Sequence, residues 1–276
     1  YNEAGPGNGY DKYIELEPNS VYTGGLGIYE GDVYLNCNGS TIDLEDGQGI
    51  WLYADENYPS SLKIEHCSIV NGLYYGLSFG GTSYGEVYNC NFIDTNFGLK
   101  LFDESNVYIT NSIFMNHNSM GIGLYTEIPV LDASYLLFWD NVDDCLENCP
   151  GWGSIWTQLE LEPGDGLLYE NPIFTDLESW DFNLLNDSPC IDNGNPEITD
   201  QDGSISDIGA MTFDQNTCSL GDLNGDSIVN VLDIVQALCF IVDTEECEGD
   251  SSCADMNGDM VLNVLDIVMM VNLIIQ

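Results

Sequence analysis

Between residues 27 and 124 one short motif recurs: a glycine followed by an aliphatic residue, any residue, then an aliphatic or aromatic one. It reads Gly49-Ile50-Trp51-Leu52, Gly76-Leu77-Ser78-Phe79, Gly98-Leu99-Lys100-Leu101 and Gly121-Ile122-Gly123-Leu124, with a shortened copy at Gly27. Successive glycines are 22, 27, 22 and 23 residues apart. A second line keeps step with it: Cys67, Cys90, Ser112 and Leu136 are each followed, four residues on, by Asn71, Asp94, Asn116 and Asp140. A fixed period in the low twenties means a solenoid, because each repeat supplies one coil and coils bury their apolar faces only by stacking. Leucine-rich repeats would show a leucine ladder, and none is present. The repeats hold Val, Ile, Tyr, Phe and Asn in short alternating runs, so each coil is expected to be several short strands. Stacking then places Cys67 over Cys90 and lines up Phe92, Phe114 and Phe138 as inward columns, with the Asn/Asp line as a polar ladder at a corner. Coils about 4.8 Å apart would also permit a Cys67–Cys90 disulfide, beside the alternative of a column of free thiols.

Charge narrows the function. The chain of 276 residues carries 47 acidic residues against Lys12, Lys63 and Lys100, with no arginine, for a formal net charge of −44. Nucleic acid is excluded as a partner, because phosphate neutralisation needs Lys and Arg. Anionic membrane surfaces are excluded for the same reason, and no run is long and apolar enough for membrane insertion. Ten cysteines suit an oxidising compartment. A start at Tyr1 rather than Met fits a processed exported chain, so a secreted, extracellular or cell-surface location is expected.

Two twelve-residue segments near the C-terminus match position for position: Asp222, Asn224, Asp226, Ile228, Asn230, Asp233, and Asp255, Asn257, Asp259, Val261, Asn263, Asp266. Positions 1, 3, 5, 9 and 12 are side-chain oxygen donors, and position 7 offers a backbone carbonyl. A short loop of this kind wraps six or seven oxygens around one hard cation, so these residues are the expected ligands of two Ca²⁺ ions. At a loop affinity of about 10 µM and about 10 mM free calcium, each site would add roughly 4 kcal/mol of stability. Each loop runs into an apolar segment of helical period: Ile234, Val235, Leu238 and Ile241, then Ile267, Val268, Val271 and Ile275.

The 33-residue offset and the trailing helices resemble a type I dockerin, the calcium-folded module that plugs into cohesin domains. Two departures stand out. Ser227 and Met260 occupy position 6, usually glycine for a sharp turn. Val231-Leu232 and Val264-Leu265 occupy positions 10 and 11, where dockerins place small polar residues read by cohesin. Apolar pairs there point to a greasier partner, either the protein's own other domain or a neighbouring copy.

Asn171-Pro172-Ile173-Phe174, Phe182-Asn183-Leu184, Ser188-Pro189-Cys190-Ile191-Asp192 and Asp207-Ile208-Gly209-Ala210 together resemble the closing region of secreted, pectate-lyase-like right-handed parallel β-helix proteins. The two resemblances together imply a mainly β chain: a parallel β-helix over residues 1–213 with its closing region from about 145, a linker at 214–220, and a small α-helical, dockerin- or EF-hand-like calcium domain over 221–276. Asp200, Asp202 and Asp207 form a carboxylate-rich turn that is a candidate third cation site. Because β-helices host polysaccharide lyases and glycoside hydrolases, an enzyme is the competing reading. A lyase needs a base with cations to hold enolate-like charge, and this chain lacks arginine. A hydrolase needs only two carboxylates facing one groove, which Asp94, Asp103, Glu104, Asp140, Asp143 and Asp144 could supply. His66 and His117 fall in different columns and read as satisfied surface or corner residues. The expectation is a non-enzymatic structural or adhesive protein that assembles with itself or a cohesin-like partner, polysaccharide being a further potential ligand.

Overall fold

The structure, a computed structural model, describes residues 1–125, 129–141, 166–214, 220–224, 228–242, 251–258 and 261–275. The chain divides into two compact units, Tyr1–Phe213 and Asp214–Gln276.

The first unit is a parallel β-solenoid of about five coils. The first coil is β1 (Lys12–Glu15), β2 (Val21–Thr23) and β3 (Leu26–Ile28). The second is β4 (Gly31–Asn36), β5 (Thr41–Gly47) and β6 (Ile50–Ala54). The third is β7 (Ser60–Glu65) and β8 (Ser68–Gly81), the fourth β9 (Tyr84–Tyr88) and β10 (Asn91–Leu101). The fifth is β11 (Asn106–Met115) and β12 (Met120–Leu124), and β13 (Val130–Trp139) continues the stack. β8 and β10 are long because each bends through a corner and serves two faces.

The stacking register explains the repeat. On one face Ile14, Leu35, Ile64, Val87, Ile109 and Ala133 lie in line. On the second, Ile42, Ile69, Phe92, Phe114 and Phe138 do so, and on the third Leu26, Ile50, Leu77, Leu99 and Ile122. Almost all of these are buried and form one continuous core. Phe92 stacks on Phe114 at 5.0 Å and Phe114 on Phe138 at 5.3 Å between ring centroids. Such near-parallel stacks follow from equal side chains sitting one coil apart.

Corners need backbone conformations that most residues avoid. Asn71, Asp94, Asn116 and Asp140 all have left-handed backbones, with φ of 54–59°, which Asn and Asp tolerate better than other non-glycine residues. His66, Asn89, Asn111 and Tyr135 turn the preceding corner in the same way. At the third corner the backbones come too close for a side chain. A Cβ on Gly98 would stand 2.4 Å from Phe114 Cδ1 and 2.7 Å from Gly121 O. The first glycine of this ladder is Gly25 rather than Gly27, because Leu26 pairs with Ile50. The first coil is less regular than the rest, and Gly27 instead packs beneath the Trp51 indole.

The cysteine expectation also changes. Cys67 is disulfide-bonded to Cys37, with 4.8 Å between Cα atoms, and Cys90 is a free, fully buried thiol pushed up to about 12 by burial. The corner Cys37-Asn38-Gly39-Ser40 is two residues longer than the corner before Ser68, which brings Cys37 to Cys67. Cys145, Cys149, Cys218 and Cys247 lie outside the described residues, as do Asp143 and Asp144.

The closing region is strapped along a corner by side-chain amides. Asn89 Nδ2 donates to Asp207 O, Asn91 Oδ1 accepts from Ala210 N, and Asn111 Oδ1 accepts from Asn195 N. A two-stranded antiparallel pair, β14 (Phe174–Asp176) and β15 (Asp181–Leu184), belongs to this region. A second apolar cluster, including Val70, Ile93, Ile113, Leu137, Phe182 and Ile208, fills the space beneath it.

His117 is not a surface residue. It is fully buried; Nδ1 faces Thr95 Oγ1 at 3.0 Å, Nε2 has no hydrogen-bond partner, and burial holds its pKa down at about 3. The unfolded chain takes up this proton near pH 6.5, the folded chain only near 3. Stability from the neutral ring is therefore full above pH 6.5 and is lost as pH falls toward 3. Replacing His117 by Thr, the residue the ladder holds at 95, should narrow the stability gap to wild type by about 2 kcal/mol between pH 7 and pH 5, measured by denaturant unfolding; an unchanged gap would contradict the buried neutral ring. Gly98→Ala should destabilise the solenoid by about 2–4 kcal/mol or abolish folding, read in the same experiment.

Candidate functional site

The second unit is built on two copies of one device. α1 (Val231–Ile241) begins at an N-cap, Asn230, whose Oδ1 accepts from Leu232 N at 2.8 Å. α2 (Val264–Ile274) begins at Asn263, whose Oδ1 accepts from Leu265 N, again at 2.8 Å. Asp233 Oδ2 and Asp266 Oδ2 reach back to the N–H of Asn230 and Asn263 at 2.8 and 2.9 Å, closing a capping box at each start. Each such cap is worth about 1 kcal/mol. The twelfth loop position therefore has two tasks: it caps the helix with one oxygen and presents the other to the loop.

In the first loop Asp233 Oδ1 accepts from Leu223 N at 3.0 Å and Asn224 N at 3.2 Å. In the second, Asp266 Oδ1 is buried with no hydrogen-bond partner. A buried carboxylate oxygen left bare is costly, and a cation is the group that would satisfy it. Asp222 and Asp233 are buried in loop one and Asp266 in loop two, while Asp255 Oδ1 accepts from Gly258 N at 2.9 Å. The carbonyls of Ile228 and Val261 each accept from the Nδ2 of the Asn two residues on, at 2.9 and 2.8 Å. Asp226 and Asp259, the fifth-position carboxylates, lie outside the described residues, as do Ser227 and Met260. Among the described residues no three His, Cys, Asp or Glu side chains are gathered as for a metal. The donors seen, all oxygens and mostly anionic or amide, fit a hard cation and not a soft one.

The helices begin three residues before the periodic segments expected of them, so both Val-Leu pairs lie in a first helical turn. Ala237, Ile267 and Met270 pack with Leu223, Cys253 and Ala254. The apolar set read from the sequence splits. Ile234, Ile241 and Ile267 face this core, whereas Val235, Leu238, Val268, Val271 and Ile275 are exposed. Exposure is matched between the copies: 63% and 65% at Val231 and Val264, 59% at both Leu232 and Leu265, and 60% and 52% at Val235 and Val268. Two equivalent apolar faces result. Cys239 and Cys253 each take part in a disulfide.

Asp103 Oδ2 accepts from Gly81 N at 2.9 Å, and burial raises the pKa of Asp94 at its corner. Lys63 pairs with Glu65 at 2.9 Å. The Lys100 ammonium lies among the rings of Phe97, Phe102 and Tyr125, and burial holds it down to about 8. Phe97 and Phe102 flank Lys100 within one stretch, and the fold adds Tyr125 from the next coil, which periodicity alone does not reveal. The turn of Asp200, Asp202 and Asp207 is internally bonded: Asp200 Oδ2 accepts from Asp207 N, Asp202 Oδ1 from Ser204 N, and Asp207 Oδ1 from Asp192 N. Burial, opposed by the backbone N–H groups of Phe213 and Asp192 and reinforced by the Asp200 and Asp192 charges, raises Asp207 to about 6.

Residues 9–132 match the family described as "Right handed beta helix region", in agreement with the parallel solenoid. Neither the curated proteins nor the solved structures contain a match to the chain. No helix among the described residues is long and apolar enough to cross a membrane.

If Asp266 Oδ1 awaits a cation, calcium should raise the unfolding midpoint of the second unit and excess chelator should lower it, as followed by thermal scans. Asp266→Asn should remove most of that calcium-dependent shift while altering the midpoint in chelator far less; an equal shift in the variant would show that this carboxylate does not serve the metal.

Proposed function

We propose that this chain is a secreted, calcium-dependent structural or adhesive protein in which a right-handed β-helix is joined to its surroundings by a dockerin-like module. Residues 222, 224, 226, 228, 230 and 233, and their counterparts 255, 257, 259, 261, 263 and 266, hold one Ca²⁺ in each loop. The ions neutralise the acidic loops and fix the start of each helix. The matched exposure of Val231, Leu232 and Val235 with Val264, Leu265 and Val268 carries this reading. Contiguous exposed apolar surface marks an interaction site, and here it sits on the helices that the metal loops position.

The partner is another copy of the chain. In a molecule of net charge −44, contact between copies is favoured where carboxylates are absent, and the exposed faces of these helices carry none, Asp233 and Asp266 in their first turns being buried. Docking of one surface on a different one of the neighbour is heterologous and builds an open filament or sheet. A structural cysteine pair and the lack of a membrane-crossing helix among the described residues are compatible with an extracellular site. A lyase is disfavoured because Lys63 is tied to Glu65 and Lys100 lies beneath aromatic rings.

Negative-stain microscopy in millimolar calcium should show filaments or sheets that disperse with chelator, and Leu232→Asp with Leu265→Asp should disperse them without chelator. Monodisperse particles in calcium, or assemblies indifferent to both treatments, would contradict self-docking.

A further inference from the structure

Where the closing region crosses the solenoid corner it leaves two clefts within the first unit. The larger, about 530 Å³, lies between Asn36, Asn38 and His66 on the coils and Thr199, Gln201 and Thr212 on the closing region. The smaller, about 300 Å³, lies between Asn19 and Ser20 on one side and Trp180, Asp181 and Asn183 on the other. Gly39 and Met211 line both, so the clefts adjoin and form one groove. Both volumes fall within the roughly 300–1,000 Å³ of small-molecule sites.

We infer that this groove binds a neutral saccharide chain. Its lining selects the class. The exposed side-chain amide of Gln201 offers a donor and an acceptor together, as adjacent sugar hydroxyls require, whereas Asn36 and Asn38 are held within the coils, Asn36 Oδ1 accepting from Asn38 N and Asn38 Nδ2 donating to Leu16 O. His66 Nδ1 faces Ala210 O at 3.2 Å; a carbonyl only accepts, so this nitrogen carries the proton and Nε2 is left as an acceptor. Trp180 packs against the second apolar cluster and is half-buried at the groove, where an indole supplies the flat apolar surface on which a sugar ring stacks. Its backbone is left-handed, with φ of 59°, a conformation a bulky residue rarely adopts and one that clusters at functional sites. No lysine lines either cleft, whereas Asp181 and Asp200 do, so phosphates and uronates are repelled. The groove belongs wholly to the first unit, and the inference stands independently of the reading given to the second.

The test titrates the full chain, in calcium, with cellohexaose, xylohexaose, mannohexaose and hexagalacturonate, by calorimetry and tryptophan fluorescence. At least one neutral oligosaccharide should bind with a fluorescence change. Gln201→Ala, an exposed position that should leave the melting curve unchanged, and Trp180→Ala should each weaken it about tenfold. Absence of binding by all three neutral oligosaccharides at millimolar concentration, preference for hexagalacturonate, or wild-type affinity in both variants would overturn the assignment.

Discussion

Mutual repulsion among 47 carboxylates is the condition that every part of this molecule has to satisfy. Three lysines cannot neutralise them, and among the described residues Lys63–Glu65 is the one ion pair. The solenoid answers by geometry. Its interior holds apolar side chains in three columns, while Asp94 and Asp140 sit at corners where their left-handed backbones are useful. Where carboxylates are drawn inward, as at Asp207, backbone N–H groups of Asp192 and Phe213 meet them. Dipoles of the chain do the work that arginine does in other proteins.

The second unit cannot use that solution throughout. It is small, its apolar cluster is limited, and it buries Asp222, Asp233 and Asp266. Asp233 finds three amides; Asp266 leaves Oδ1 bare. On our reading a divalent ion completes each loop, which makes metal binding part of folding and not an addition to it. It also links the two properties of the unit, since the residues that follow each loop are the exposed apolar ones.

Much of the solenoid was legible because stacking repeats one environment at each coil. The Phe92, Phe114 and Phe138 column, the glycine corner and the Asn/Asp corner are each a sequence line with a single physical cause. Legibility failed where a coil departs from the period. The irregular first coil moved the leading glycine from 27 to 25, and two extra residues after Asn36 gave Cys37 the partner that spacing had suggested for Cys90. The burial of His117 was hidden because its ladder partners, Gly72 and Thr95, share no chemistry with it. Helix faces were illegible for another reason. α1 and α2 are apolar nearly all round, so periodicity could not separate Ile234 and Ile267 from Val235 and Val268. The metal loops were readable as a spacing of oxygens, whereas the double duty of Asp233 and Asp266 as helix caps needed the backbone.

Native mass spectrometry of the full chain, stripped of metal and returned to millimolar calcium, tests this account most directly. Two calcium ions per chain are expected, falling to one when the Asp266 carboxylate is replaced by an amide. A chain that is folded and still shows its metal-free mass in millimolar calcium would contradict it.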